Sequence, residues 1–382
     1  MTTFVTFPTV AIFLQDEWFL SNTETGILFG VFFIGFILTT FLLTSLTDFI
    51  DSRYIYIFGI ILVFFSSIFF GYFANNFYTA FFWRLLHGIG LGATYMPGLK
   101  FLTDVLPLEK QSRATAFYTS SFSIGTALSF YLSGIFNENY NWQFAFYINS
   151  LGPVFSLFLF IIFAKNPSKK LSTKLNIDHL INVIKNKKII GYALTYFIHN
   201  IELFTFRSWI IIFLFFSLSV EKNIYFNNYF HPATIAAIIS LIAMPSSVLF
   251  NELTRFYKRE KLLNFILFLS ALIPILIGIF ANANFMFIII LVFIYGIIIP
   301  ADSSVITAGL ISSSQLEYKG TAMGVHSFIG FTGAIIGPIV FGILLDLGGG
   351  KNNYFSWLLS FFSIGVIMLS GPYIIKKFIK GS

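Results

Sequence analysis

A histidine, a glutamate and an arginine lie inside one long apolar segment of this chain, residues 189–218. They are His199, Glu202 and Arg207. An ionisable side chain at the centre of a bilayer costs on the order of 2.5–3.5 kcal/mol even on the mildest scale. Three such groups in one segment therefore need a shared interior, mutual pairing or water. The sequence leaves two interpretations open, a structural cluster of ion pairs and a polar transport site.

Helical geometry groups the polar residues of this segment. At about 100° per residue, Tyr192, Tyr196 and His199 share one face, and Glu202 lies about 60° to one side. The i, i+3 spacing of His199 and Glu202 puts a histidine, which titrates near neutral pH, close to a carboxyl group. We interpret this pair as a candidate for proton coupling. The competing interpretation is that Glu202 neutralises an arginine and stays ionised.

The composition decides the class of protein. Hydrophobic residues make up 57% of the 382 residues and charged residues only 10%, against about 25% in soluble domains. The mean hydropathy is +0.84. These values predict an all-α polytopic membrane protein. The net charge of +7 is carried mainly by loops, so no nucleic-acid partner is expected, and the absence of cysteine excludes disulfides and thiolate metal sites.

Twelve apolar segments follow one another, separated by polar turns such as residues 74–76 and 281–284. The first, Met1 to Leu14, is too short for a hydrocarbon core about 30 Å thick and lacks the features of a signal peptide. We expect it to be the outer part of a first span whose inner turns are missing or start upstream. The other predicted spans are 26–46, 54–74, 78–102, 113–136, 143–164, 189–218, 231–252, 262–281, 285–310, 319–345 and 354–375.

The basic residues predict an orientation. Most of the 23 lysines and arginines lie in the loops after the even-numbered spans and at the C-terminus. By the positive-inside rule, both termini of this multi-pass protein are expected to be cytoplasmic. We expect the protein to lie in the inner, cytoplasmic membrane.

Two sets of six spans are expected, at residues 1–164 and 189–382, joined by a basic cytoplasmic linker at 165–188. Short matches relate the two sets, because LTDF at 46–49 matches LTRF at 253–256 at an offset of about 207. Such recurrence indicates parallel six-helix repeats. Within the linker, apolar residues at i, i+3, i+4 and i+7 from Ile177 fit a short helix on the inner leaflet, and a solvated linker fits equally well.

These features together resemble the major facilitator superfamily of transporters. Its signature between spans 2 and 3 reads Gly-x-x-x-Asp-Arg-x-Gly-Arg-Arg, and residues 44–53 keep only Asp48 and Arg53 of it. Span 4 offers Arg84-x-x-x-Gly-x-Gly, which is similar to another family element. The resemblance implies two six-helix bundles, secondary transport by alternating access, and a cytoplasmic latch for which Asp48, Arg53 and Arg255 are the candidates.

In this fold, spans 1, 4, 7 and 10 line the central cavity, and the intramembrane charges fall in spans 4, 7 and 10. Counting Lys100 with the arginines, the charges sum to one net positive, which favours a small anionic or zwitterionic solute. Arginine also presents a planar fork suited to carboxylates. The candidate substrate-binding residues are Arg84, His87, Tyr192, Tyr196, His199, Arg207 and Asp302; those for proton coupling are His199 and Glu202.

Several neighbouring features have structural interpretations. Pro97 and Pro300 predict kinks, which either expose a carbonyl to a cavity or are absorbed by packing. Gly88, Gly90 and Gly92, and likewise Gly330, Gly333 and Gly337, predict surfaces of close helix packing. His326 is expected to be a hydrogen-bonded interior histidine.

The function favoured by the sequence is secondary active transport, by a monomer without a cofactor or metal, with a small-molecule substrate, protons as the candidate coupling ion, and lipids as partners. A non-transporting receptor on the same fold stays open. A metalloenzyme is disfavoured because His199-x-x-Glu202 lacks a second ligand pair. No phosphate-binding loop, nucleophile elbow or selectivity filter is present, so we expect no enzyme, ATP-driven pump or channel.

Overall fold

The computed structural model describes residues 1–46, 50–164, 177–221 and 231–380, and these ranges contain helices and no strands. Short 3-10 turns occupy 253–255, 299–301 and 316–318, and a π turn occupies 375–380. The helices are α1 (Thr6–Trp18), α2 (Asn22–Leu46), α3 (Ser52–Phe73), α4 (Phe77–Val105), α5 (Leu108–Asn139), α6 (Trp142–Phe163), α7 (Ile177–Lys185), α8 (Lys187–Val220), α9 (Pro232–Glu252), α10 (Arg259–Ile279), α11 (Phe285–Ile298), α12 (Ser303–Ser313), α13 (Lys319–Leu347), α14 (Tyr354–Met368) and α15 (Ser370–Ile374).

The prediction of an all-α membrane protein is confirmed. Each of the twelve predicted segments coincides with a helix or a pair of consecutive helices. Within the described ranges, nine helical segments are long and apolar enough to cross a membrane. The other three are α1, which has only 13 residues, and α4 and α5, which are long but carry more polar side chains.

Asparagine begins several of these helices. The side chain of Asn76 accepts a hydrogen bond from the N–H of Thr79, and Asn284 accepts one from the N–H of Met286. An asparagine in this position satisfies one of the backbone donors that a helix leaves free at its start. The predicted turns at 74–76 and 281–284 are therefore confirmed, and each ends in a helix cap.

Packing divides the chain into two compact units. The first consists of Met1–Leu20 and Leu28–Leu175, and the second of Ser21–Ile27 and Asn176–Ser382. The beginning of α2 therefore groups with the second unit. Asp346, near the end of α13, explains this grouping, because its carboxylate accepts four hydrogen bonds of 2.6–3.1 Å from the backbone and side chains of Asn22 and Thr23.

Glycine sets the close approach of helices in both units. A Cβ at Gly88 would meet the carbonyl oxygen of Phe32 on α2, so α4 packs directly against that backbone. On α13, a Cβ at Gly330 would overlap the ring of Tyr196, and one at Gly333 would overlap the carbonyl oxygen of Phe197. The predicted close-packing surfaces are confirmed at these positions.

The two prolines behave differently. Helix α4 continues through Pro97 without interruption. At Pro300, in contrast, the tenth predicted span breaks into α11 and α12 with a 3-10 turn between them. The break frees backbone groups, and the hydroxyl of Ser246 on α9 donates to the carbonyl of Ile297. Asp302 is the first residue after this turn.

Candidate functional site

The helix break in the second unit places a carboxylate against a histidine. The Nδ1 atom of His199, on α8, lies 2.6 Å from Oδ1 of Asp302. Both side chains are fully buried, at 1% and 0% exposure. A buried carboxylate is tolerated when it is paired, and an imidazole can carry or release a proton in such a pair. The structure thus brings together two residues that the sequence predicted separately.

Tyr196 extends this pair into a stack of rings. Its ring lies parallel to that of His199, with centroids 5.5 Å apart, and to that of His326, with centroids 4.1 Å apart. Gly330 makes room for the tyrosine ring, because a Cβ there would occupy the same space. The expectation of a hydrogen-bonded His326 is wrong within the described residues, where both its ring nitrogens are buried without a hydrogen-bond partner.

Glu202 lies in the same unit, and its carboxyl group interacts electrostatically with that of Asp302. Its carboxylate is fully buried beside the hydroxyls of Tyr295 and Ser270. Its oxygens have no lysine, arginine or histidine nitrogen within 4.0 Å in the described part of the chain. The interpretation that Glu202 neutralises an arginine therefore finds no ion pair there. The near neighbour of His199 in the structure is Asp302. The role of His199 and Glu202 in proton coupling stays a prediction.

Two predicted site residues of the second unit contact other groups. The ring of Tyr192 packs against Gly309 on α12. The guanidinium carbon of Arg207 lies 5.7 Å from the ring centre of Phe204. Neither contact joins them to the His199–Asp302 pair. In the second unit, Tyr196, His199 and Asp302 form one cluster, and Arg207 interacts electrostatically with Tyr196 of that cluster.

The first unit holds a different buried site around Arg84 on α4. The side chain is 2% exposed, and its Nε donates to the carbonyl of Leu28 at 3.1 Å. Its guanidinium carbon lies 4.9 Å from the ring centre of Phe7 and 4.7 Å from that of Phe32. No carboxylate lies within salt-bridge distance of Arg84 in the described residues, and Nη1 has no hydrogen-bond partner among them.

His87 follows Arg84 by three residues and shares its surroundings. The Nε2 atom of His87 lies 2.9 Å from the hydroxyl of Thr3, and its ring meets that of Phe32 edge-on at 5.4 Å. Two aromatic rings can hold a guanidinium by cation–π attraction, but they do not neutralise it. We call Phe7, Phe32, Arg84 and His87 the arginine cage.

Lys100 does not contribute to either site. Its Nζ atom forms an ion pair with Asp104, one turn later on α4, at 3.0 Å. With Lys100 neutralised in this way, the net positive sum of intramembrane charges predicted from the sequence disappears. Any preference for an anion would then depend on the local surroundings of Arg84 and Arg207.

The latch candidates form local contacts where they can be described. Arg53 pairs with Asp51 at the start of α3, at 2.7 Å, and Arg255 pairs with Glu252 at 2.9 Å. Asp48, the residue on which the latch prediction depends, lies outside the described residues. The latch therefore stays a prediction.

A family model described as the Major Facilitator Superfamily matches residues 1–338. The chain belongs to this superfamily. Its fold is similar to that of a bacterial homolog of the human lysosomal transporter Spinster in an inward-facing, occupied conformation, with a TM-score of 0.79, 14% identity, and coverage of 98% of this chain and 92% of that chain. It is also similar to a point mutant of the nucleoside transporter NupG, with a TM-score of 0.75, 14% identity, and coverage of 99% of this chain and 98% of that chain.

Sequence relatives within the superfamily match over shorter stretches. The MFS-type transporter TwmF of Talaromyces wortmannii is 28% identical over 120 residues, which cover 30% of this chain and 22% of the relative. The chain thus covers about a fifth of that relative's length. The expectation that the protein is not an enzyme is confirmed, because the superfamily and the fold are those of membrane transporters.

Sequence reasoning missed three members of the second unit's site, His326, Tyr295 and Ser270. A signal for His326 existed, because His326, Gly330, Gly333 and Gly337 share one face of a helix at spacings of 4, 3 and 4 residues. A histidine on the glycine face must point toward the packed neighbour. Tyr295 and Ser270 gave no such signal, because they stand alone in apolar segments.

Proposed function

We propose that the protein is a secondary active transporter that moves a small anionic or zwitterionic solute across the cytoplasmic membrane by alternating access. The observation that carries this proposal is the arginine cage. A buried guanidinium without a carboxylate partner is costly, and an anionic solute that supplied the missing charge would offset that cost. Arginine's fork suits carboxylates and similar oxyanions.

The second unit supports coupling of this transport to protons. His199 and Asp302 form a close, fully buried pair, and Glu202 is a second buried carboxyl group that interacts electrostatically with Asp302 and has no basic partner in the described residues. A carrier that concentrates a solute needs an energy source, and proton uptake at these groups would provide one. The groups that face them are Tyr196, His326, Tyr295 and Ser270.

The remaining parts of the proposal are the orientation, which the positively charged loops support, and the oligomeric state. Both termini face the cytoplasm, and the carrier works as a monomer. Within the described residues, no group of three or more His, Cys, Asp or Glu side chains is arranged to hold a metal ion, so the metalloenzyme alternative gains no support. A receptor on the same fold is the remaining alternative.

A ligand screen tests the substrate class. Purified protein is heated with a library of anionic, zwitterionic, neutral and cationic metabolites, since a compound that binds the folded state raises its apparent stability. We expect anions and zwitterions to raise the Tm, and Arg84→Gln to abolish their effect. The matched control is Lys100→Gln, which removes a cation with its own partner on the same helix and should leave the effect intact. Stabilisation by cations alone, or equal stabilisation of the Arg84 variant, would contradict the proposal.

Uptake into proteoliposomes separates the carrier from the receptor. A stabilising compound is supplied outside vesicles that contain the protein, with and without an inward proton gradient. A carrier exchanges labelled for unlabelled compound and accumulates it when the gradient is present. A receptor binds the compound and does neither.

A further inference from the structure

Helix α7 leads directly into a helix that is long and apolar enough to span the membrane. Only Asn186 separates Lys185, the last residue of α7, from Lys187, the first residue of α8. Asn186 is extended, with φ −78° and ψ 104°, so the two helices do not run on in one line. Its side chain accepts hydrogen bonds from the N–H groups of Lys188 and Ile189, at 3.0 and 3.3 Å, which fixes the start of α8. Because α8 starts here, α7 lies at a boundary between membrane and water.

One side of α7 packs on the protein and a different side is apolar and exposed. Val183 is fully buried and marks the packed side. Leu180, Ile181 and Ile184 are 42%, 42% and 57% exposed. At about 100° per residue, these three side chains fall within an arc of about 100°, centred about 110° from Val183. The apolar arc is therefore turned away from the packed side of the helix.

Lysines lie close in the chain to the exposed apolar residues of α7. Lys185 and Lys187 are exposed and Lys188 is half-buried, all within one turn of the junction between α7 and α8. In the sequence, four more lysines precede α7, at positions 165, 169, 170 and 174, outside the described residues. An apolar face beside clustered lysines is the pattern by which helices bind anionic lipid surfaces.

We propose that α7 is an interfacial helix that inserts Leu180, Ile181 and Ile184 into the membrane. The lysines at its junction with α8, Lys185, Lys187 and Lys188, bind the headgroups of anionic phospholipids. The apolar arc enters the boundary between headgroups and acyl chains, where α8 also begins. The lysines at the junction then lie at the level of the lipid phosphates. This surface is independent of the arginine cage and of the His199–Asp302 pair.

The absence of native cysteine allows a direct test in the full-length protein. Ile181→Cys and, as a matched control on the polar side of α7, Asn182→Cys are each labelled with a nitroxide and reconstituted into vesicles. Collisions with lipid-soluble oxygen and with a water-soluble nickel complex are measured by electron paramagnetic resonance. For each label we compare the ratio of its collision rate with oxygen to its collision rate with the nickel complex. We expect this ratio to be at least about tenfold higher at position 181 than at position 182. A label at Ile184→Cys should give the same result as the label at position 181. Agreement between the two positions excludes a perturbation caused by a single label.

Lipid composition tests the headgroup part of the proposal. Vesicles of phosphatidylcholine alone are compared with vesicles that contain about 30% phosphatidylglycerol, a fraction that gives a strong negative surface potential. The protection at position 181 should increase with phosphatidylglycerol and decrease at high salt. Replacing Lys185, Lys187 and Lys188 by glutamine should remove the dependence on lipid. Equal access of the nickel complex to positions 181 and 182 in both vesicles would show a solvated linker and overturn the proposal. If the label at position 181 is protected from the nickel complex equally in all vesicles and at all salt concentrations, the assignment of headgroup binding to the lysines is overturned.

Discussion

The two units surround their buried ionisable groups differently. The first unit buries a cation between aromatic rings, with Arg84 held by Phe7, Phe32 and one backbone carbonyl. The second also holds a cation near an aromatic ring, Arg207 beside Phe204. Unlike the first, it buries carboxyl groups, with Asp302 paired to His199 and Glu202 beside hydroxyl groups. A permanently charged guanidinium can attract an anion but cannot change its charge within the working range of pH. A carboxyl group or an imidazole can change its charge by binding or releasing a proton.

This difference suggests a division of labour, in which the first unit holds the solute and the second unit exchanges protons. The short matches between the halves of the sequence indicate a common repeat, yet the buried chemistry of the two halves has diverged. A substitution in one unit therefore distinguishes the function of that unit from the function of the other.

The largest effect is expected from the arginine cage. Removing one partner of a buried charged interaction costs about 2–5 kcal/mol, so Arg84→Gln should weaken ligand binding by at least about 30-fold. Arg84→Lys keeps the charge and loses the planar fork, and we expect a loss of at least about tenfold. Titration of ligand against purified protein measures both values. Unchanged affinity in the lysine variant would leave Arg84 a generic electrostatic or structural role.

A smaller effect is expected from His199. His199→Gln removes the imidazole that lies beside Asp302 and keeps a polar side chain, so the dependence of the exchange rate on pH should flatten. Ligand affinity at alkaline pH should stay within about threefold of the wild type, because the arginine cage is intact. The control is His179→Gln, in α7 and outside the cluster. A variant that keeps the full pH dependence would remove His199 from proton coupling.

The smallest effect concerns packing rather than charge. Gly330→Ala would push the ring of Tyr196 away from His199 and His326, and overpacking of this kind costs about 1–3 kcal/mol. Gly324→Ala, on the same helix, meets no atom within 4 Å and should be neutral or slightly stabilising. Thermal unfolding of the two variants measures the difference. An equal Tm for both would mean that Tyr196 moves without cost and that the stack is not rigid.

The sequence predicted the helices well and the site only in part. Helix positions follow from long apolar segments and from asparagines such as Asn76, which act through neighbours close in the chain. The exclusion of charge from lipid then indicated which buried residues mattered, including Arg84, His199 and Asp302. Their partners could not be predicted in the same way. Asp302 is 103 residues from His199 in the chain, and the i, i+3 spacing pointed to Glu202 instead.

The sequence also could not show which charges are neutralised. Lys100 and Arg84 look alike as basic residues in one span, but Lys100 has Asp104 one turn away and Arg84 has aromatic rings around it. The helix break at Pro300 was likewise indistinguishable from the uninterrupted helix at Pro97. The partner of Lys100 is the exception, because the i, i+4 spacing of Asp104 is visible in the sequence. The rings around Arg84 come from α1 and α2, which spacing alone does not bring together.

One transport measurement tests the division of labour most directly. Wild type, Arg84→Lys and Glu202→Gln are reconstituted side by side, and each is assayed for exchange at equal solute concentrations and for accumulation driven by a pH gradient. We predict that Arg84→Lys loses both activities in proportion, because solute binding precedes both. Glu202→Gln should keep exchange and lose accumulation, because glutamine cannot carry the proton. If Glu202→Gln loses both activities together, or keeps full accumulation, the assignment of proton exchange to the second unit is contradicted.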